Sequence, residues 1–178
     1  MDQPERLPAE HKRSAIQRIE EEILQEIGNR LERVIVLAEN GRVLLAKTGD
    51  VGEVGFTVAE LEELRGVADL LTHNHPSEGG IGIADFDVAT LLNVREINAF
   101  GRRYRYRLIR TGRTWPDLQP ALAFLSPIRR RVERRLRARV AAGTLSPGEA
   151  SLNYWHEVWV EFAKPSPDVL YFREVRQT

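Results

Sequence analysis

Ala68-Asp69-Leu70-Leu71-Thr72-His73-Asn74-His75-Pro76-Ser77 is an apolar segment that ends in two histidines and a proline. Ala68–Thr72 reads as a short buried strand that delivers the histidines at its C-terminal end. On an extended backbone, residues two apart face the same way, so the His73 and His75 imidazoles share one side. Pro76 fixes the chain after them and keeps His75 extended. Gly79-Gly80-Ile81-Gly82 is then a flexible loop, and a helix runs from about Asp85 to Val94. A glycine-rich loop of that length can fold back and bring the Asp85 carboxylate to the two imidazoles. Two His and one carboxylate leave a fourth position for water, the pattern of a catalytic zinc site rather than a closed structural one. Such a metal acidifies water and polarises a carbonyl.

The surrounding pattern is mixed. Ile16, Ile19, Ile23 and Ile27 recur every three or four residues, one face of a helix over Glu10–Asn29 with Gly28-Asn29 as its C-cap. Arg33–Ala38 and Val43–Lys47 read as strands about the Glu39-Asn40-Gly41-Arg42 turn, in which Asn-Gly supplies positive φ angles. Val51–Phe56 is a possible third, shorter strand. Thr57, with Glu60 three residues on, is a capping box for a helix to about Arg65. Glu96–Phe100 and Arg103–Ile109 follow as strands, the second alternating aromatic with charge. Beyond Trp115-Pro116 the character is helical. Gln119–Ala142 has Ile128, Val132, Leu136 and Val140 four apart, and Gly143 ends it. Ser146-Pro147-Gly148-Glu149 opens a last helix carrying Leu152, Trp155, Trp159 and Phe162 on one face. Pro165 and Pro167 stop it before a strand at Val169–Phe172. The expected organisation is a disordered lead-in over 1–9, a metal-binding domain over 10–115, and a C-terminal helical extension over 116–178. The fold class is α/β, with the terminal helical hairpin packed on the sheet domain.

Composition narrows the chemistry. The chain has 178 residues and no cysteine, so a metal has only His, Asp or Glu as strong ligands. No run of about 18 apolar residues occurs, and the N-terminus starts acidic and polar. A cytoplasmic protein with no membrane partner is the resulting expectation. Net charge is zero, yet Arg102–Arg139 holds thirteen arginines against two acids, Asp117 and Glu133. The arginine-rich helix could bind nucleic acid electrostatically; a solvated face, or pairing with acids elsewhere in the chain, is the commoner role of such a run.

"THNHPS" followed by Asp85 resembles the JAB/MPN (JAMM) metalloprotease family and the related RadC proteins, in which His-x-His-Pro precedes a Ser and an Asp three residues apart. The resemblance covers roughly residues 10–110 and is closest to bacterial and phage-associated members. It implies a JAB/MPN (cytidine-deaminase-like) mixed sheet flanked by helices. It implies Zn2+ on His73, His75 and Asp85. Asp87, with Ala84 in the Ser position, is the other candidate third ligand, but the loop to Asp85 is shorter and an apolar residue follows it. Glu32, between the first helix and the first strand, takes the place of the family's general base; Glu39 and Glu53 are its fallbacks. Ser77 is expected on the substrate or oxyanion side. The implied activity is zinc-dependent hydrolysis of an amide bond in a protein or peptide substrate. One position departs from the pattern: Gly82 stands where the family has the Ser that helps hold the oxyanion. That departure favours a second reading, a catalytically degenerate binding or assembly module of a phage-associated system.

Overall fold

The computed structural model describes residues 9–26 and 30–176, with side chains described from Ser14. Most of the lead-in over 1–9 and the Gly28-Asn29 cap lie outside the described residues. The elements are α1 (Ala9–Glu26), β1 (Arg33–Leu37), β2 (Val43–Thr48), α2 (Val58–Leu64), β3 (Leu70–Asn74), α3 (Ile83–Leu92), β4 (Glu96–Phe100), β5 (Tyr104–Arg110), α4 (Leu118–Ala141), α5 (Pro147–Ala163) and β6 (Val169–Val175). Six strands form one mixed sheet in the order β2-β1-β3-β4-β5-β6. Only β3 and β4 run parallel, because α3 crosses between them; the other neighbours are antiparallel. The fold is therefore α/β, a mixed six-stranded sheet flanked by five helices.

Strand alternation divides the core in two. Ile35, Leu37, Leu70 and Phe100 face α1 and pack on Ile16 and Ile23. Val34, Val36, Leu71, Ile97, Ala99, Tyr106 and Leu108 face the opposite way, toward the larger core that holds buried residues of the other four helices. On the α1 side a fully buried Glu20 pairs with Arg105 and Arg176 and accepts from Thr72 Oγ1 at 3.2 Å. A buried carboxylate needs such partners, and these dock α1 across β3 and β5.

The two capping boxes form as the sequence implies. Thr57 Oγ1 accepts from Glu60 N while the Glu60 carboxylate accepts from Thr57 N, and Ser146 and Glu149 do the same at α5. The β1–β2 turn differs in detail. Gly41 alone takes a positive φ, +82°, and Asn40 contributes through its side chain, whose Oδ1 accepts from Arg42 N. Val51–Phe56 is not a strand; its one pairing is an isolated bridge between Asp50 and Glu53. The C-terminal segment is more than a helical extension. Its helices share the larger core, through Leu125, Val132, Leu136, Val158 and Trp159. Its last strand pairs with β5 along seven residues, from Tyr104 opposite Val175 to Arg110 opposite Val169.

Candidate metal centre

The site sits where β1, β3 and the first turn of α3 meet. Val34 lies opposite His73 in the sheet register. Side chains two apart share a face, so Glu32, Val34 and His73 all point toward α3. β3 runs on through His73 to Asn74 rather than ending before the histidines, which places the first imidazole inside the sheet, 2% exposed. α3 begins at Ile83, so Asp85 is the third residue of its first turn. The Asp85 Oδ2 accepts from Gly82 N at 2.6 Å. The next residue, Phe86, is fully buried against the rings of Trp115, Trp159 and Phe162. That packing fixes the rotation of α3 and so the direction of Asp85.

Glu32, His73, His75 and Asp85 each bring one ligand atom into a group whose members lie within 4.8 Å of one another. His73 Nε2 is 2.9 Å from His75 Nε2 and 3.3 Å from Asp85 Oδ1, and His75 Nε2 is 3.5 Å from Asp85 Oδ2. Tetrahedral ligands about 2.0–2.1 Å from a zinc ion lie roughly 3.3 Å apart, so the three separations fit such an ion with little adjustment. The His75 Nδ1–H donates to the Gly79 carbonyl at 3.0 Å, which leaves Nε2 with its lone pair toward the cluster. His73 Nδ1 is buried and makes no hydrogen bond of good geometry; the neighbouring Asn98 backbone still favours its protonation.

The four groups perturb one another's ionisation. Burial opposes ionisation of Asp85, but His73, His75 and the Gly82 amide outweigh it and hold its carboxyl well below the usual carboxylate range. Burial depresses His73, yet Asp85 and then Glu32 raise it above the ordinary imidazole value. Burial and the adjacent His73 push His75 down. Burial raises Glu32, with His73 opposing and Asp85 and Glu53 adding to the rise. Glu32 is thus moved toward its neutral form.

Three positioning contacts were not legible in the motif. Asn74, the residue between the two histidines, accepts from Arg33 N at 2.7 Å and donates to Leu31 O at 2.8 Å. It clamps the backbone on both sides of Glu32 and so ties the carboxylate to the histidine strand. Glu78, at φ +60°, accepts from the amides of Arg102 and Arg103 and anchors the loop after His75 to the β4–β5 turn. The Trp159 indole of α5 donates to Ile81 O at 2.6 Å, holding the loop that supplies Gly79 and Gly82. None has a local sequence signal, since each joins segments distant along the chain.

The remaining expected residues divide. Ser77 is exposed and lines the cleft beside His75. Asp87 and Glu39 lie outside the four-residue group, as does Glu53, which lines a smaller neighbouring cleft. That cleft holds about 260 Å³ between the loop over 52–56 and α3. The larger one, about 970 Å³, runs from Glu32, His75 and Asp85 along the α4–α5 hairpin. The arginine run of α4 is largely tied up within the chain. Arg131 pairs with Glu161, Arg135 with Glu157 and Glu161, Arg137 with Glu133, and Arg139 with Glu157. His156 is half-buried and shares a hydrogen bond with the Tyr171 hydroxyl. No helix among the described residues is long and apolar enough to cross a membrane. Compared with known proteins, the chain matches no family model, no curated protein and no solved structure.

Proposed function

We propose that this chain is a zinc-dependent peptidase or isopeptidase of the JAMM type. The observation that carries the reading is the convergence of Glu32, His73, His75 and Asp85 at the head of a cleft large enough for a peptide segment. The donor set contains only imidazole nitrogen and carboxylate oxygen, which suits zinc. His73, His75 and Asp85 are the three ligands, and Glu32 is the base. A zinc ion held there supplies Lewis-acid polarisation of the scissile carbonyl and acidifies a water. Glu32 takes a proton from the attacking water and passes it to the leaving amine nitrogen. Its place beside the three ligands at the head of the cleft lets it reach both the water and the leaving amine. Asn74 keeps Glu32 in register with the ligands, and Gly79 keeps His75 in the tautomer that presents Nε2.

The departure at Gly82 favours the second reading, a binding or assembly module on the same scaffold. One variant separates the two. Glu32→Gln keeps the shape of the side chain and removes its basicity. For a peptidase, zinc content stays at one per chain and cleavage of a casein-derived peptide mixture, followed by mass spectrometry, falls about 10²–10⁴-fold. If wild-type protein loaded with zinc cleaves nothing in that mixture and in isopeptide-linked substrates, the binding-module reading replaces this one. If Glu32→Gln instead loses the metal, Glu32 is a fourth ligand of a closed structural site.

A further inference from the structure

The larger cleft holds an arginine, Arg129, that is seated on aromatic side chains. Arg131, Arg135, Arg137 and Arg139 are each tied to a glutamate. Among the described residues, Arg129 pairs with no carboxylate. Its Nε donates to the Tyr154 hydroxyl at 3.1 Å, and its Cζ lies 5.3 Å from the centre of the Trp155 ring. Two aromatic contacts preorganise the planar guanidinium and leave its terminal N–H groups available for a bidentate acceptor.

The platform is itself fixed relative to the metal ligands. Trp155 stacks on the fully buried Trp159 with ring centres 6.2 Å apart. Its Cβ lies 3.3 Å from where a Cβ on Gly80 would stand, so α5 rests directly against the loop whose Gly79 carbonyl holds His75. Arg129, Trp155, His75 and Asp85 line one continuous cleft, and Leu136, Val140 and Ala150 give it an apolar wall.

We propose that this cleft is a peptide-recognition subsite selective for a carboxylate next to an apolar side chain. The carboxylate pairs with Arg129, and the apolar group lies against Leu136, Val140 and Ala150. The carboxylate is either an acidic side chain or a C-terminal α-carboxylate. The subsite takes its place in catalysis from the peptidase reading above, but binding alone tests it.

The test uses the full zinc-loaded chain and calorimetric titration with three heptapeptides of one leucine- and phenylalanine-containing sequence. One carries an internal glutamate and an amidated C-terminus, one has glutamine in its place, and one has that glutamine with a free C-terminus. One of the two acidic peptides is expected to bind about tenfold more tightly than the neutral one, the size of a partly exposed charge-assisted pair. Which of the two gains identifies the carboxylate's source. Arg129→Gln, at an exposed position, is expected to abolish that gain while leaving the neutral peptide's affinity unchanged. Arg129→Lys keeps the charge without the planar fork and is expected to restore part of it. Absence of peptide binding, equal binding of all three, or a preference that survives Arg129→Gln overturns the subsite. Mass spectrometry of the same mixtures reports cleavage separately. Selective binding without cleavage counts against the peptidase reading alone, and cleavage without the Arg129-dependent preference counts against the subsite alone.

Discussion

Replacing His75 by alanine isolates the metal from the fold. The His75 side chain is 15% exposed and opens on the larger cleft, so its removal leaves space that water can enter rather than a sealed void. The interactions lost without metal are the hydrogen bond to Gly79 O and the Nε2 contacts with His73 and Asp85, about 1 kcal/mol for each hydrogen bond. With metal the difference is larger. A ligand at a hundredfold excess over its Kd stabilises the native state by about 2.7 kcal/mol. In a domain of this size that corresponds to a rise in Tm of about 5–11 °C. Loss of one of three ligands is expected to weaken zinc binding by more than the 10–100-fold typical of an outer-shell contact. A hundredfold loss at the same zinc concentration leaves only about 0.4 kcal/mol, or less than about 2 °C. The assay is thermal unfolding by circular dichroism with zinc or with a chelator, alongside elemental analysis of the dialysed protein. His156→Gln serves as control, because that ring bonds Tyr171 and is no part of the four-residue group. A wild-type Tm indifferent to zinc, or a His75→Ala rise equal to that of the wild type, would refute the site.

Other consequences are equally direct. Gly82 has φ −88° and ψ −177°, open to any residue, and a Cβ there would lie 3.4 Å from Asp85 Oδ2, an ordinary contact. Gly82→Ser is therefore expected to fold normally, gain a few tenths of a kcal/mol as a helix cap, and raise kcat by as much as 10²–10³-fold if its hydroxyl reaches the oxyanion; steady-state kinetics on a cleaved peptide checks this, and an unchanged kcat rules out that role. Asn74→Ala frees the backbone around Glu32, so kcat is expected to fall at least tenfold while zinc content holds, and elemental analysis paired with kinetics would detect a loss of metal instead. His156 has its pKa pushed down to about 4 by burial, with Arg173 adding to the effect. The unfolded chain then takes up a proton between about pH 6.5 and 4 that the folded one refuses, so stability is full above that window and falls as pH drops through it. Urea midpoints across this range are expected to decline less for His156→Phe than for wild type; parallel declines would exclude His156 as a source.

The local elements were largely written in the chain. Periodic isoleucines marked α1, and reciprocal Thr/Glu and Ser/Glu pairs marked the starts of α2 and α5, because these signals act within a few residues. The errors arose where a pattern had no local arbiter. Val51–Phe56 has strand-like composition but finds no neighbouring strand to pair with, and only the Asp50–Glu53 bridge forms. Asn40 in the β1–β2 turn uses its side chain instead of a left-handed backbone.

For the candidate site, the sequence by itself determined the ligand chemistry: no cysteine, two histidines on one face of an extended segment, and an aspartate ten residues on. Periodicity of two settles which side chains share a face whatever the tertiary context. It could not settle Asp85 against Asp87, or Glu32 against Glu39 and Glu53. Those choices depend on the rotation of α3, set by Phe86 among three aromatic rings, and on the pairing of β1 with β3, reinforced by Asn74 across more than forty residues. The α4 arginines posed the same problem. Their number was visible in the sequence. Arg137 meets Glu133 four residues back on the same helix, but only the packing of α5 beside α4 decided that Arg131, Arg135 and Arg139 meet glutamates and that Arg129 meets Tyr154 and Trp155 in the cleft. Charge is a property of residues, but its pairing depends on distance, which only the folded chain supplies.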